Sequence, residues 1–481
     1  MEILDKSRAS KTFDTFFNMN QIPRCSNAEE AISNFLYNFG KNLGLETIKD
    51  ENLNVLIKKP ASPGYEDHDT VCLQGHMDMV CEKLESCNHD FSKDPIDMFV
   101  DGDWIKAKGT TLGADDGIGV AMALDLLASD DIRHPALEVL ITSTEETGMD
   151  GALGLTPDFL QAKKLINIDT EDEGVMIIGC AGGIGSYLEI PLTFEKKQGY
   201  VNKKLVVSGL KGGHSGLTIG TEHLNAIKLL VNVISKLKLK EKILTMEISG
   251  GTKHNAIPSK AEVTIGILEE DLDEFENDFE EVKNQIINQY LKRESALQID
   301  LLDGPENDQY MNCETVKQVF SAINLLPHGI NTMVKDDETM VESSNNLAIV
   351  EMLGDKLKIS LSIRSSDLHQ EEVLIDKIKE VARFVGAQVI FSDGYPMWKP
   401  NFDSPLTHLA SDVYKKLFDQ DILIKTIHAG LETGLIAEKY PEMDMISIGP
   451  DITGAHTPDE KLSISSTEKT RDFLVEILAN L

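Results

Sequence analysis

The first 180 residues alternate short aliphatic segments with segments of helical periodicity. The runs VCLQ, LEVLITS and KLINID, which begin at Val71, Leu137 and Lys164, have the length and aliphatic content of buried strands. The segment from Gly117 to Ser129, GIGVAMALDLLAS, predicts a helix that is buried on all sides. Because strands that alternate with helices favour a sheet covered by helices, this part of the chain predicts an α/β domain.

The segment between Ser26 and Gly44 predicts an amphipathic helix. Its first four residues, Ser26 to Glu29, have the S-x-x-E pattern of a capping box, whose side chains satisfy free N–H groups of the first turn. Gly44 is a residue of the kind that follows the end of a helix. We therefore expect a helix that starts beside Ser26 and ends at Gly44.

The pattern changes at about Tyr187, where strands with one exposed face begin to alternate with charged helices. The predicted order of strands and helices between residues 187 and 302 resembles a ferredoxin-like α+β unit, and residues 314–392 repeat it. A length of 481 residues also favours two domains. We expect residues 186–395 to form an inserted domain of two ferredoxin-like halves. Residues 1–185 and 396–481 would then be the two parts of the α/β domain.

The charge balance disfavours two classes of partner. The chain has 46 Lys and Arg against 80 Asp and Glu, a net charge of −34, which disfavours binding to nucleic acid and to anionic membranes.

The chain has neither the apolar core of a signal peptide nor an apolar run approaching the roughly 20 residues that span a bilayer. Its six cysteines lack C-x-x-C pairs and the spacing of a disulfide framework, which predicts reduced thiols in a cytoplasmic protein.

Polar side chains follow the predicted strands, or precede the buried helix, at five places. They are His76 with Asp78, Asp115 with Asp116, Glu145 with Glu146, Asp169, and His456. A single carboxylate at such a place is usually a turn residue or a helix cap. Because loops at the carboxyl ends of strands converge in an open α/β sheet, five such places together predict one site.

Two histidines and several carboxylates are the ligands that a pair of zinc ions requires. Two metals need one bridging ligand, and an aspartate suits this role because both of its oxygens lie on a short stem. In the H-x-D pattern, Asp78 lies on the same side of an extended segment as His76, so that it can accept a hydrogen bond from the second ring nitrogen. Glu145 and Glu146 face different ways, which allows one to bind metal and the other to act as a general base.

Six segments, in order along the chain, resemble the motifs of the dinuclear zinc peptidases, which include carboxypeptidases, aminoacylases and dipeptidases. They are GHMDMV, TTLGADDGIGVA, STEETGMDGA, INIDTEDEG, GGHSG and AHTPDE. The resemblance is greatest to the branch of aminoacyl-histidine dipeptidases, which cleave Xaa-His dipeptides such as carnosine. It extends to IPRCS near the N-terminus and HAGLETG near the C-terminus. Each motif alone is modest evidence, whereas the ordered set is specific. The resemblance implies a mixed-sheet catalytic domain with an inserted lid domain.

The resemblance also implies a metal ligand set. Asp115 would bridge two Zn²⁺ ions, His76 and Asp169 would complete the first ion, and Glu146 and His456 would complete the second. Manganese and cobalt are possible substitutes, since histidine and carboxylate ligands accept all three metals.

Further roles follow from the same resemblance. Asp78 would orient a metal-binding histidine, and Glu145 would be the general base. In this family the peptide bond after the bridging aspartate is commonly cis. We therefore expect a cis bond between Asp115 and Asp116.

The inserted domain resembles the lid of this family. His214 in GGHSG matches a histidine that stabilises the oxyanion, which in simpler dimeric relatives reaches the neighbouring subunit. Asn255 and Arg364 match residues that hold the substrate carboxylate or carbonyl. A duplicated lid would let His214 act within its own chain. Gly266 occupies the position of an arginine in such relatives, and we expect Arg364 to replace it. Glu432 in HAGLETG is a candidate for binding the free amine of the substrate.

The expected reaction is hydrolysis of a dipeptide, of the Xaa-His type, by a metal-activated water with Glu145 as the base. Two alternatives stay open. The first is an amidohydrolase that acts on N-acyl amino acids or longer peptides, and the second is a non-catalytic binding protein of the same fold. The retained Glu145 argues against the second alternative. The partner would be a small dipeptide, and both a monomer and a homodimer are compatible with the sequence.

Overall fold

The computed structural model describes residues 4–221, 223–335 and 339–481. The chain folds as two compact units, each with its own hydrophobic core. The first unit runs up to Cys180 and also contains Trp398–Thr426 and Leu431–Leu481. The second unit consists of Ala181–Met397 and Ile427–Gly430.

From Leu4 onward, the first part of the chain contributes eight strands and four α-helices to the first unit. The strands are β1 (Glu46–Lys49), β2 (Val55–Lys59), β3 (Val71–His76), β4 (Met98–Asp101), β5 (Trp104–Ala107), β6 (Leu137–Thr142), β7 (Lys164–Asn167) and β8 (Val175–Cys180). The helices are α1 (Ser10–Met19), α2 (Glu30–Asn42), α3 (Ala114–Ala128) and α4 (Asp150–Gly154).

Among its described residues, the second unit contains the next eleven strands and four α-helices. The strands are β9 (Gly182–Pro191), β10 (Phe194–Lys196), β11 (Tyr200–Ser208), β12 (Leu244–Gly250), β13 (Ala261–Leu268), β14 (Gln298–Asp303), β15 (Gln309–Met311), β16 (Gly329–Met333), β17 (Val341–Leu353), β18 (Lys356–Ser365) and β19 (Gln388–Phe391). The helices are α5 (Ala226–Lys236), α6 (Leu272–Tyr290), α7 (Cys313–Leu325) and α8 (Leu368–Val385).

The last part of the chain adds the remaining elements. They are α9 (Pro405–Phe418), β20 (Leu423–Ile427), α10 (Glu432–Lys439), β21 (Asp444–Ser447), β22 (Ile452–Thr453), β23 (Lys461–Ser463) and α11 (Ile464–Asn480).

The main sheet of the first unit is mixed, as the resemblance to the zinc peptidases implies. Its strand order is β1-β2-β6-β3-β7-β21-β8-β20. Strands β6, β3, β7 and β21 are parallel, whereas β2 and β8 pair antiparallel with their neighbours β6 and β21. Because β3 and β6 are buried at every position, their aliphatic runs are continuous rather than alternating. The carboxyl ends of the central strands therefore lie side by side, at one edge of the sheet.

The large sheet of the second unit has the order β14-β11-β13-β12-β17-β18-β9-β19. Its neighbouring strands pair antiparallel throughout. The two inner strands of the order, β12 and β17, meet through the pair Gly250 and Val350.

The capping-box prediction at Ser26 is wrong. Helix α2 begins at Glu30, and no side chain caps it. The Ser26 hydroxyl instead donates a hydrogen bond of 2.7 Å to Asp78, and Glu29 accepts the backbone N–H of Thr144 at 3.1 Å. The S-x-x-E pattern thus reflects contacts with distant loops, which a local rule cannot distinguish from a helix start. Near the other end, the helix stops at Asn42 and Gly44 is left-handed, with φ of 75°.

The prediction that all cysteines are reduced is wrong for one pair. Cys25 and Cys81 form a disulfide, although 56 positions separate them in sequence. Backbone pairing of Cys25 with Met79 brings the two segments together, which no spacing rule could reveal. The other four cysteines are free thiols.

Within the described residues, no helix combines the length and the apolar composition that crossing a membrane requires.

Candidate metal centre

Three parallel strands bring polar side chains to the same edge of the main sheet. His76 is the last residue of β3 and pairs with Thr142, the last residue of β6. Gln74 pairs with Asn167, the last residue of β7, so that Asp169 follows two residues beyond. The register of these strands places the loops that carry the predicted site residues side by side.

Helix α3 presents a fourth part of the centre. Gly113 precedes the helix with φ of 69°, a left-handed conformation that favours glycine. The peptide bond between Asp115 and Asp116 is cis, which confirms the prediction from the motif. The Asp116 carboxylate turns inward and accepts the backbone N–H of His76 at 3.2 Å. A side chain at Gly75 would collide with the Asp116 carboxylate, which explains the glycine before the histidine.

Asp115 lies between two histidines. Its Oδ1 is 3.1 Å from Nε2 of His76, and its Oδ2 is 3.1 Å from Nε2 of His456. The two rings therefore approach the two oxygens of one carboxylate. His76 comes from β3 and His456 from the loop after β22, 380 positions later in the chain.

Three more carboxylates surround these histidines. Glu146 Oε2 is 2.9 Å from Nε2 of His456, and Asp169 Oδ1 is 3.5 Å from Nε2 of His76. Glu145 is more distant, with Oε2 at 4.0 Å from His76 Nε2. One atom each of His76, Asp115 and Glu146 lie within 4.8 Å of one another.

Asp78 supports both the histidine and the glutamate loop. Its Oδ1 lies 3.4 Å from Nδ1 of His76 and accepts the backbone N–H of Glu145 at 3.0 Å. Its Oδ2 accepts the Ser26 hydroxyl at 2.7 Å and the Glu146 N–H at 3.3 Å. Burial alone would raise the pKa of Asp78, but the contacts with His76, Ser26 and the Glu145 N–H lower it to about 2. Asp78 is therefore a fixed negative charge beneath the histidine.

The pKa values of the centre show an excess of buried negative charge. Burial, with repulsion from the other carboxylates, raises the pKa of Asp169 to about 7 and the pKa of Glu145 well above its ordinary value. Contacts with Asp115 and Glu146 raise the pKa of His456 to about 11. The carboxylates thus strongly favour cations among them.

The residues present fit divalent metal ions. The set of two imidazoles and several carboxylates is a typical ligand set for such ions. Within the described residues, Glu146 Oε1 is buried and has no hydrogen-bond partner, which is costly unless a cation faces it. Without a cation, the surrounding carboxylates favour protonation of the two histidines. A divalent cation would replace those protons.

Comparison with known proteins supports this interpretation. The family model described as "Peptidase family M20/M25/M40" matches residues 72–480. The chain belongs to this peptidase family. The resemblance inferred from the motifs is thus confirmed, and membership of the family implies that the protein binds divalent metal.

Individual relatives agree with this assignment. The chain is 38% identical to a cytosol non-specific dipeptidase of Escherichia coli over 483 residues, covering 100% of this chain and 99% of the relative. The crystal structure of an aminoacylhistidine dipeptidase from Vibrio alginolyticus matches with a TM-score of 0.92 and 36% identity, covering 99% of this chain and 98% of that one. An aminopeptidase from Bacillus cereus shares the fold, at 17% identity and a TM-score of 0.56, with 98% of both chains covered.

Glu432 is buried in the first unit, near the candidate metal centre. Its Oε2 accepts hydrogen bonds from Gln74 at 2.7 Å and from the Thr142 hydroxyl at 2.6 Å. Among the described residues, nothing pairs with its Oε1. Burial raises its pKa to about 7. The structure therefore places the Glu432 carboxylate against the carboxyl ends of β3 and β6. Its contact with a substrate amine stays a prediction.

His214, Asn255 and Arg364 lie together in the second unit. Ser215 connects them, because its N–H donates to the Asn255 carbonyl at 2.8 Å and its hydroxyl accepts from Arg364 Nε at 3.4 Å. Arg364 is 7% exposed and also donates to the Tyr395 hydroxyl at 2.6 Å. In the described part of the chain, Arg364 forms no ion pair with a carboxylate.

His214 is held as a neutral ring. Its Nδ1 accepts the N–H groups of Gly216 and Leu217 at 3.3 and 3.2 Å, which leaves the proton on Nε2. Burial and the charge of Arg364 lower its pKa.

Three residues that support the centre were missed in the sequence. Glu460 accepts backbone N–H groups of the loop before Asp115, and Arg24 donates to the carbonyls of Met77 and Asp78. Ser26 donates to Asp78, as described above. All three lie in motifs with which the resemblance was recognised, Arg24 and Ser26 in IPRCS and Glu460 in AHTPDE. Their presence there was the available signal, but Ser26 was interpreted as a helix cap, and Arg24 and Glu460 were given no role.

Proposed function

We propose that the protein is a dinuclear metal-dependent dipeptidase that prefers Xaa-His substrates and acts in the cytoplasm. The observation that carries the proposal is Asp115, whose two oxygens each lie 3.1 Å from a different histidine. A carboxylate in that position suits a bridge between two ions. We assign His76 and Asp169 to one ion, and Glu146 and His456 to the other, with Zn²⁺ as the metal.

The chain's own residues suit peptide hydrolysis. When bound, the two ions would lower the pKa of water and withdraw electron density from the peptide carbonyl. Glu145 lies at the edge of the ligand set, 4.0 Å from His76, and burial raises its pKa well above the ordinary value. A carboxylate with a raised pKa suits a general base, which accepts the proton of the attacking water and returns it to the leaving amine. Asp78 orients His76 through Nδ1.

We further propose that the second unit is a lid that binds the substrate. Its strand order supports a duplication. One half of the sheet consists of β11, β12, β13 and β14, and the other of β9, β17, β18 and β19. When the four strands of each half are numbered along the chain, both halves have the order fourth, first, third, second across the sheet. Arg364, buried without an acidic partner in the described chain, suits the carboxylate of a dipeptide. Asn255 would assist it. Nε2–H of His214 suits a developing oxyanion.

Gly266 supports the division of roles between the two halves. It lies in β13, which corresponds to β18 and its Arg364 in the other half. A side chain at Gly266 would collide with the ring of Tyr310, so this half has no space for an arginine. A single Arg364 would thus serve one site per chain.

The compartment and specificity draw on the relatives. The Escherichia coli relative is named a cytosol non-specific dipeptidase, and the Vibrio alginolyticus structure is of an aminoacylhistidine dipeptidase. Between these, we favour Xaa-His substrates because the resemblance of the motifs is greatest to that branch. Glu432 is our candidate for the substrate amine, since its Oε1 lacks a partner in the described structure.

A substrate panel on metal-reconstituted protein tests the proposal. It compares Xaa-His dipeptides, including carnosine, with other dipeptides, tripeptides and N-acyl amino acids. We expect dipeptides to be hydrolysed, with the highest kcat/KM for Xaa-His, and a chelator to abolish the activity. Equal rates on all dipeptides would overturn the specificity, and hydrolysis of N-acyl amino acids alone would overturn the dipeptidase assignment.

A further inference from the structure

Glu460 holds the loop that leads to Asp115. Its Oε2 accepts the backbone N–H groups of Leu112 at 2.6 Å and Gly113 at 2.9 Å. Its Oε1 accepts those of Ala114 at 2.7 Å and Asp115 at 3.3 Å. Four consecutive donors therefore converge on one carboxylate, which is 3% exposed.

The same residue is connected to His456. Glu460 lies four positions after this histidine, and its N–H donates to the Thr457 carbonyl at 3.1 Å. The Thr457 N–H donates in turn to the Gly454 carbonyl at 3.2 Å. One short turned segment thus carries His456 at its centre and grips the Asp115 loop at its end.

We propose that Glu460 is a positioning residue, which fixes Asp115 relative to His456 and thereby sets the affinity for metal. This inference rests on the proposed function, because it assumes that Asp115 and His456 bind metal. Groups that orient metal ligands from outside typically change metal affinity or activity by roughly 10–100-fold when they are removed. A carboxylate has two acceptor oxygens and no donor, so that it can accept all four N–H groups. A glutamine amide in its place would direct its own N–H donors at backbone N–H donors.

Glu138 provides a matched control in the same unit. It is 2% exposed and accepts two consecutive backbone N–H groups, those of Gln161 at 2.8 Å and Ala162 at 3.0 Å. It lies four positions before Thr142, toward the amino end of β6, whereas the metal centre is at the carboxyl end. Loss of either glutamate removes buried hydrogen bonds, but only Glu460 contacts the Asp115 loop.

The test measures Zn²⁺ affinity and kinetics for Glu460→Gln, Glu460→Asp and Glu138→Gln. We expect Glu460→Gln to weaken Zn²⁺ binding by roughly 10–100-fold and to lower kcat more than it raises KM. Glu460→Asp, which keeps the carboxylate, should recover part of both. Glu138→Gln should lower the thermal unfolding temperature with unchanged Zn²⁺ affinity. Equal Zn²⁺ affinity of Glu460→Gln and the wild type would overturn the proposal.

Hydrogen exchange on the wild type gives a second test that does not require a stable variant. After removal of metal by a chelator, the amides of residues 112–115 should remain protected, because Glu460 and not the metal holds them. Rapid exchange of these amides in the metal-free protein would contradict the proposal.

A His76→Ala variant separates this inference from the proposed function. If it binds Zn²⁺ as the wild type does, the proposed metal centre is wrong. If it loses Zn²⁺ while Glu460→Gln retains full affinity, only the positioning role is wrong.

Discussion

The Asp78 carboxylate lies 3.4 Å from Nδ1 of His76, at the ring nitrogen that does not face Asp115. Because a carboxylate there fixes the ring and its tautomer, we predict that Asp78→Asn lowers kcat by roughly 10–100-fold. Steady-state kinetics with saturating metal measure the change. The control is Asp125→Asn, at a buried aspartate that contacts Thr12 and Arg471 outside the centre. Equal kcat in Asp78→Asn and Asp125→Asn would contradict the orienting role.

Glu145 and Glu146 should respond differently to the same substitution. Glu145→Gln should keep its metal and lose roughly 10²–10⁴-fold in kcat, because an amide cannot accept the proton of water. Glu146→Gln should lose metal, since Glu146 lies 2.9 Å from His456 and has an unpaired buried oxygen within the described structure. Metal analysis of both purified variants, together with kinetics, measures the difference. Near wild-type turnover by Glu145→Gln would exclude it as the base.

The disulfide should contribute to the stability of the first unit. Cys25 and Cys81 are 56 positions apart, and closing a loop of this length stabilises a fold by about 4 kcal/mol in the chain-entropy view. We predict that reductant lowers the free energy of unfolding of the wild type, measured by denaturant titration. The Cys25→Ser variant should already be destabilised and should not respond to reductant. Identical unfolding curves of the wild type with and without reductant would show that the pair contributes nothing.

Stability at acid pH should depend on His328 in the second unit. Its Nδ1 accepts the N–H of Leu347 at 3.3 Å, and burial lowers its pKa to about 4 from an ordinary value of 6.5. The unfolded chain binds a proton at His328 more readily than the folded protein does. The contribution of neutral His328 to the free energy of unfolding is therefore complete above pH 6.5 and is lost as the pH falls toward 4. The wild type should therefore lose stability relative to His328→Asn over this range. Parallel stability curves for the two proteins would contradict the assignment.

The elements of the fold that depend on local pattern were predictable from the sequence. Continuous aliphatic runs predicted that β3 and β6 are buried strands and that α3 is a buried helix. In the structure both strands are buried at every position, and α3 is buried along most of its length. The ligand set could also be proposed, since its members follow predicted strands or lie at the start of the buried helix, and the strand register brings the loops of β3, β6 and β7 together.

Contacts between distant segments could not be predicted in the same way. Ser26 reaches Asp78 across 52 positions, and its local pattern resembles a helix cap. Glu460 reaches Leu112 across 348 positions, and a glutamate in a polar turn has no feature that indicates four backbone partners. Such groups become visible only when the fold places their acceptors.

The number of metal ions bound per chain tests the central claim most directly. Mass spectrometric metal analysis of the protein after Zn²⁺ reconstitution and removal of free metal should give two ions per chain. His76→Ala and His456→Ala should each lose metal, and Asp115→Ala should lose both ions, because one carboxylate faces both histidines. One ion per chain in the wild type, or two in Asp115→Ala, would contradict the dinuclear centre.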